Sequence, residues 1–402
     1  LTTVDVATEF SQKGQVVILF LIQLGGLNTI AFGAFVYLMA KFGVGVKQHE
    51  VIEDFVNKES IFSTRSMFGK IILWSLIIEV VGTGLIYLFL EPKGIFASEQ
   101  DRFFHSVFHA ISGFNNAGLS TVPGGMNHAL FASNIFVQSI IMVLFFLGGL
   151  GMIYVFDLFE IRRLRERMKN PWRSIEFGTK LSLYTTLWLL LAGAVVFIIF
   201  EWDGVMAGEG IHQKVISSFF HSMTTRNAGF SFVDVSQLAL PVFVVFLFLM
   251  FVGASSGSAG GGIRTSTFAI LVASVISTIR GRKNIELFKR TIDNNLVLKA
   301  FTITLFFIMG NFLGIFALTI TEQDALATGA FTINDVIFEH VSAASTVGLS
   351  TGITPDVSMA GKYVLIIAMF IGRVGTLTVA YLIGKRVITN RYKYPEGHTM
   401  IG

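Results

Sequence analysis

The 402-residue chain contains no cysteine. Disulfides, thiolate nucleophiles and cysteine metal sites are therefore excluded, and cysteine usage says nothing about redox compartment. Charge is scarce as well: Asp, Glu, Lys and Arg make up 14% of residues, against about 25% in an ordinary soluble domain. Catalytic constellations are missing too. There is no His-Glu-x-x-His and no plausible nucleophile triad, so nothing points to an enzyme. No cleavable signal peptide is visible. What is abundant is apolar: 53% of residues are hydrophobic, 41 of them Phe, and the mean hydropathy is +0.69. This is the composition of an integral membrane protein.

A bilayer crossing needs about 20 mostly apolar residues. Seven stretches qualify, at residues 15–41, 68–91, 131–159, 181–201, 238–278, 296–320 and 360–387. The basic residues sort by side. Arg162, Arg163, Arg165, Arg167, Lys169 and Arg173 follow the third stretch; Arg280, Arg282, Lys283, Lys289 and Arg290 follow the fifth; Lys385, Arg386, Arg391 and Lys393 follow the seventh. The alternate loops are poorer in cations and carry acids such as Glu99, Asp101, Asp203, Asp324, Asp335 and Asp356. The positive-inside rule then predicts a cytoplasmic C-terminus and an outward-facing Leu1. The cluster 162–173 is most simply that topological signal, with anionic lipid or a partner as further roles.

One pattern recurs. Gly118-Leu119-Ser120-Thr121-Val122, Gly229-Phe230-Ser231-Phe232-Val233 and Gly348-Leu349-Ser350-Thr351-Gly352 share a form, and the chain opens on Leu1-Thr2-Thr3-Val4. Gly229 comes 111 residues after Gly118, and Gly348 a further 119. Counting back one repeat from Gly118 predicts a fourth glycine just upstream of Leu1. Repeats of this size built from hydrophobic spans suggest internal symmetry. Each glycine follows a segment too short to cross, at 102–114, 211–223 and 334–343, suited to a half-membrane helix. Non-helical backbone at membrane depth is tolerated where protein buries it or water lines it. Surface loops with glycine turns are the ordinary alternative, but they leave the flanking periodicity unexplained.

The expected filter strands are Asn115, Asn116, Ala117 and Gly118; Thr225, Arg226, Asn227, Ala228 and Gly229; and Ser345, Thr346, Val347 and Gly348. Glycine permits backbone angles that turn carbonyls toward a dehydrated cation, and a half-helix aims its partly negative C-terminal end at the same place. No ring of acids occurs at these positions, so carbonyl dipoles are favoured over carboxylates. One glycine per loop implies fewer coordination layers and weaker selectivity. Arg226 should point behind its strand and brace it. His109, His221 and His340 precede their glycines by unequal spacings, which favours helix packing over a common ligand ring.

The fifth stretch is interrupted by Gly253, Ala254, Ser255, Ser256, Gly257, Ser258, Ala259, Gly260, Gly261 and Gly262. Each glycine costs a helix roughly 1 kcal/mol relative to alanine, so this span should unwind. A plug under the filter and a small-residue packing face between helices are both open readings; a phosphate loop is disfavoured by the missing lysine. Gly25-Gly26, Gly148-Gly149 and Gly372 suggest either a shared constriction level or close helix packing. Arg373 lies mid-span, where insertion costs at least about 2.5–3.5 kcal/mol. It is expected beneath the filter against the 253–262 loop, restraining cations when the gate is shut, with a structural salt bridge as competitor and Glu79 as one possible partner.

Together these residues resemble the Trk/Ktr/HKT cation transporters. Ser112-Gly113-Phe114-Asn115-Asn116-Ala117-Gly118, Arg226-Asn227-Ala228-Gly229-Phe230 and Thr346-Val347-Gly348-Leu349-Ser350 resemble that superfamily's second, third and fourth pore loops. The run 254–265 resembles its intramembrane gating loop, Gly372-Arg373-Val374-Gly375 its last inner helix, and the tail from Arg391 that of the Ktr potassium-translocating subunit. The resemblance implies an all-α membrane protein with a four-fold pseudosymmetric repeat of outer helix, pore helix, filter loop and inner helix. Its parts would be an incomplete first unit (1–41), a second (68–165), a third (180–280), a fourth (296–387) and a cytoplasmic tail (388–402). It implies potassium uptake at the plasma (inner) membrane, stimulated by sodium, with no organic cofactor. It implies a homodimer on a cytoplasmic nucleotide-binding regulatory ring that opens the gate when ATP is bound, in contact with membrane lipid and not with nucleic acid. A Trk-type or sodium-preferring relative, and a secondary symporter, are the rival expectations.

Overall fold

The computed structural model describes residues 1–26, 64–91, 96, 98–170, 175–258, 260–282 and 284–374. The expectations for 27–41, for Ala259, for 375–387 and for the tail 388–402 lie outside these residues.

Among the described residues the regular structure is helical apart from a two-stranded hairpin, Glu286–Leu287 with Arg290–Thr291. Three helices are long and apolar enough to cross a bilayer, Gly69–Phe89, Phe177–Glu201 and Asn294–Thr321. Each is followed by a short helix, Glu99–Phe114, Ile211–Thr224 and Ile333–Ala344, and then by another apolar helix starting at Ile135, Leu240 or Met359. The first and third short helices begin on strong polar caps. Ser98 accepts from Asp101 N (3.2 Å), and Thr332 and Asp335 form a reciprocal capping box. Such caps satisfy amides that a helix end leaves orphaned. Their polar ends stay at the surface while their C-terminal turns are buried.

Much of the core lies between a short helix and the apolar helix before it, Ile211–Thr224 on Ile135–Leu150 and Ile333–Ala344 on Leu240–Phe251. Phe145, Phe220 and Phe230 share one buried cluster, and Phe197, Phe246 and Phe338 share the next. The long helices leave Leu73, Val80, Leu88, Trp188, Ile199, Leu305 and Phe312 exposed, as a lipid-facing surface requires.

Two spans differ from straight helices. The fifth unwinds as its glycines predict, into Leu240–Phe251 and Thr265–Ile279. The third was expected as one crossing over 131–159. It is instead broken at Gly151 into Ile135–Leu150 and Met152–Phe159, which meet at 104°. Gly151 has φ 87°, and a Cβ there would lie 2.9 Å from the Gly257 carbonyl carbon. The bend therefore follows a close approach of two backbones. Beyond it, Asp157 accepts from Arg163 Nη1 and Arg167 Nη2 (both 2.7 Å) and from Glu176 N (3.0 Å), tying the basic helix Ile161–Lys169 to the elbow.

The recurring inner glycines have a packing role. A Cβ on Gly148 would lie 1.8 Å from Phe114 O, and one on Gly372 2.0 Å from Ala344 O. Phe114 and Ala344 are the last residues of their short helices, so each glycine seats a short helix's C-terminus against the helix behind it. Gly148→Ala and Gly372→Ala should each destabilise the protein by about 1–3 kcal/mol, read as a lowered melting temperature in detergent. Gly84→Ala, which meets open space, should leave it unchanged or raised.

Candidate pore site

The short helices end in a shared way. Asn116 N donates to Gly113 O (3.1 Å) and Ala117 N to Ser112 O (2.8 Å); Thr346 N donates to Ala343 O (3.0 Å) and Val347 N to Ser342 O (2.9 Å). These are Schellman ends, with Asn116 (φ 54°) and Thr346 (φ 55°) in the left-handed position. In the middle unit Asn227 (φ 99°) takes that place, with Ala228 N donating to Thr224 O (3.0 Å). Two residues later come Gly118 (φ 67°), Gly229 (φ 73°) and Gly348 (φ 92°). A positive φ is unusual for asparagine and rare for a β-branched threonine, and such residues cluster at working sites.

The three glycines converge. A Cβ on Gly229 would lie 2.7 Å from Val347 O, 3.3 Å from Gly118 Cα and 3.5 Å from Gly348 Cα. Their loops open on one side into a cavity of about 430 Å³, lined by Gly118, Ser120, Gly229, Ser231, Gly348 and Ser350 among others. Among the described residues, no donor reaches the carbonyl oxygens of Asn115, Asn116, Ala117 and Gly118, or those of Thr225 to Gly229. Buried backbone polar groups are almost always paired, so these oxygens are left for water or a cation.

Side chains behind the loops tie them to the surrounding helices. Arg226, only 5% exposed, turns away from the convergence point and donates to Thr186 O (3.0 Å), Thr186 Oγ1 (3.2 Å) and Gly253 O (3.3 Å). It braces its loop against two carbonyls and a hydroxyl. With its amide set to satisfy both ends, Asn116 donates to Phe145 O and accepts from Gly149 N, both at 3.1 Å. His109 Nε2 meets Ser120 Oγ (2.8 Å), His221 Nε2 accepts from Phe232 N (3.3 Å), and Glu339 accepts from Thr351 N (3.1 Å) and from the Ser350 hydroxyl. His109 and His221 are thus clamps for the segment after each glycine. His340 packs beside Gly314. The clamp in the last unit is Glu339, nine residues before its glycine just as His109 is, which an alignment of the three loops could have revealed.

The small-residue run lies against the other side of the loops. Gly261 N donates to Thr346 Oγ1 (2.8 Å), and Gly260 N reaches the Asn227 side chain (3.2 Å in the amide orientation that satisfies both ends). Ser255 N donates to Gly149 O (3.1 Å), Ser258 Oγ to Ser255 O (2.7 Å), and Ser256 Oγ meets Ser266 Oγ (2.7 Å). A Cβ on Gly253 would lie 2.0 Å from Gly261 O, so the backbone at Gly261 returns tightly onto Gly253. Arg264, unremarked as a binding residue in the sequence, holds that loop through Ser255 O (3.3 Å) and Ser258 Oγ (3.4 Å). Arg373 donates to Gly25 O (2.7 Å) and lies within electrostatic range of Arg264. Glu79 is not its partner: both Glu79 oxygens are taken by Asn115 (3.0 Å) and Gln23 (3.1 Å). No group of three His, Asp or Glu side chains able to hold a metal occurs among the described residues.

A helical membrane scaffold whose glycine loops converge around unpaired carbonyls defines a protein of the ion-transport class. The family described as "TrkH: Cation transport protein" matches residues 1–389. The chain is 34% identical over 404 residues to Ktr system potassium uptake protein B of Bacillus subtilis, covering all of this chain and 86% of that protein. It is 31% identical over 407 residues to the potassium/sodium uptake protein NtpJ of Enterococcus hirae, covering all of this chain and 86% of that one. The crystal structure of the potassium transporter TrkH from Vibrio parahaemolyticus shares the fold, with a TM-score of 0.67 at 16% identity, covering 95% of this chain and 75% of that one. The chain belongs to the TrkH cation transport family.

Gly229→Ala places a side chain in a left-handed backbone, at about 1–2 kcal/mol, and also against Val347 O. Gly124→Ala has a similar φ of 75° but open space. Gly229→Ala should therefore lower the melting temperature more than Gly124→Ala does; equal losses would mean that the glycines are not packed together.

Proposed function

We propose that the chain conducts potassium into the cell through one central pore, with Asn115–Gly118, Thr225–Gly229 and Ser345–Gly348 as its filter strands. The unbonded carbonyls of residues 115–118 and 225–229, beside the converging glycine of the last loop, support this reading. Such oxygens replace a cation's hydration shell, and the Schellman ends direct the N–H groups back into the helices. The full-length likeness to proteins named for potassium uptake supplies the ion. The likeness to a protein named for potassium and sodium makes sodium the competing substrate or an activator.

The loop 253–262 is the gate in this proposal, hung beneath the filter on Thr346 and Asn227 and held from below by Arg264, with Arg373 near it. The chain works at the plasma membrane with its C-terminus in the cytoplasm. Relatives named as proteins of a Ktr system support a separate regulatory component; in this proposal that component is a nucleotide-binding subunit and the chain pairs with a second copy. The basic helix Ile161–Lys169 is one available docking surface for that subunit.

Proteoliposomes holding the intact transporter should take up potassium down its gradient faster than sodium. A fixed stoichiometry with a second ion would instead identify a symporter. Thr346→Val removes the hydroxyl that accepts from Gly261 N. At the usual value of one hydrogen bond, basal potassium flux should rise about two- to tenfold; unchanged flux would remove the loop from the gating role.

A further inference from the structure

Glu79 sits within the long helix Thr64–Phe89 and is 3% exposed. Its Oε1 accepts from Asn115 Nδ2 (3.0 Å), and its Oε2 accepts from Gln23 Nε2 (3.1 Å). Asn115 Nδ2 also reaches Gln23 Oε1 (3.2 Å) and Ile111 O (2.9 Å). Three elements meet here: helix Gln12–Gly26, the long helix, and the end of the short helix Glu99–Phe114. The junction is tight, because a Cβ on Gly26 would lie 1.7 Å from Asn115 Oδ1.

Both oxygens of Glu79 accept and neither faces a lone acceptor. As a carboxylate, Glu79 has one amide donor on each oxygen. No cationic side chain pairs with it among the described residues; its partners are two amides. An ionisable group at membrane depth is expensive. Packing gives no reason for it, because glutamine would fill the same space and hydrogen-bond the same amides. What the carboxylate adds is charge, placed one side chain behind Asn115, where the first loop of unbonded carbonyls begins.

We propose that the Glu79 carboxylate is an affinity-determining residue for the transported monovalent cation, its negative charge held behind the 115–118 loop by Gln23 and Asn115. The inference rests on the pore reading above. A fixed charge in a weakly polarisable surrounding acts over longer range than one in water. It therefore deepens the attraction of the filter carbonyls without touching the ion, and no other acid contacts the loop from behind among the described residues.

The test is potassium influx into proteoliposomes of the intact transporter, measured against external potassium. Glu79→Gln keeps size and hydrogen bonding and removes charge. It should raise the half-saturating concentration on the order of three- to tenfold while maximal flux stays within about twofold. The double variant Gln23→Glu/Glu79→Gln moves the carboxylate across one hydrogen bond and should restore half-saturation toward that of the unaltered protein. An unchanged half-saturation in Glu79→Gln, or a double variant no better than the single one, overturns the proposal. So does a Glu79→Gln protein that fails to accumulate while the double variant accumulates and transports, since the charge would then serve folding. Absence of potassium flux in the unaltered protein would instead sink the pore reading itself.

Discussion

A backbone carbonyl at membrane depth needs a donor or a cation, and in this protein a whole set of them has neither from the chain. Helix ends normally hide this problem by returning the last carbonyls to nearby N–H groups. Here the Schellman turns at Asn116 and Thr346 satisfy the carbonyls of the short helices and spend the N–H groups of the loops in doing so. At 115–118 and 225–229 the loop oxygens are left over, while in the last loop Asn227 and Leu1 N supply donors to Ser345 O and Gly348 O. Much of the surrounding fold can be understood as support for that surplus. The inner glycines bring the helix ends inward, the aromatic clusters hold the units together, and Arg226 ties one loop to two neighbouring elements without facing the axis.

The support is chemically uneven around the axis. Two units clamp the segment after the glycine with a histidine, and the third uses a glutamate. One loop has an acid behind it; the next has an arginine. Repetition of the backbone is therefore accompanied by divergence of the side chains. A strictly symmetric repeat could not place an acid behind one loop and an arginine behind another.

The short helices were legible from sequence nearly to their ends. The expected 102–114, 211–223 and 334–343 correspond to Glu99–Phe114, Ile211–Thr224 and Ile333–Ala344, because caps, one apolar face and a following glycine are all local signals. The unwinding of the fifth span was legible for the same reason. The bend at Gly151 was not. Its glycine looks like any other inner-helix glycine, and what demands the positive φ is a loop more than a hundred residues later in the chain. The environment of Glu79 was hidden likewise, since Gln23 and Asn115 come from different units and neither carries a charge pattern that announces the other. Arg264 stands in plain view after the small-residue run, but no local signal says that its guanidinium turns back onto Ser255 and Ser258.

The elbow at Gly151 joins parts of the molecule that serve different ends. On one side its backbone presses on Gly257 and Ser258; on the other, Asp157 locks the basic helix to it through two arginines. With the turn between them made of a single residue, the anchor of the basic helix and the seat of the small-residue loop lie within eight residues of one another along the chain, so any substitution that relaxes the bend disturbs both attachments at once.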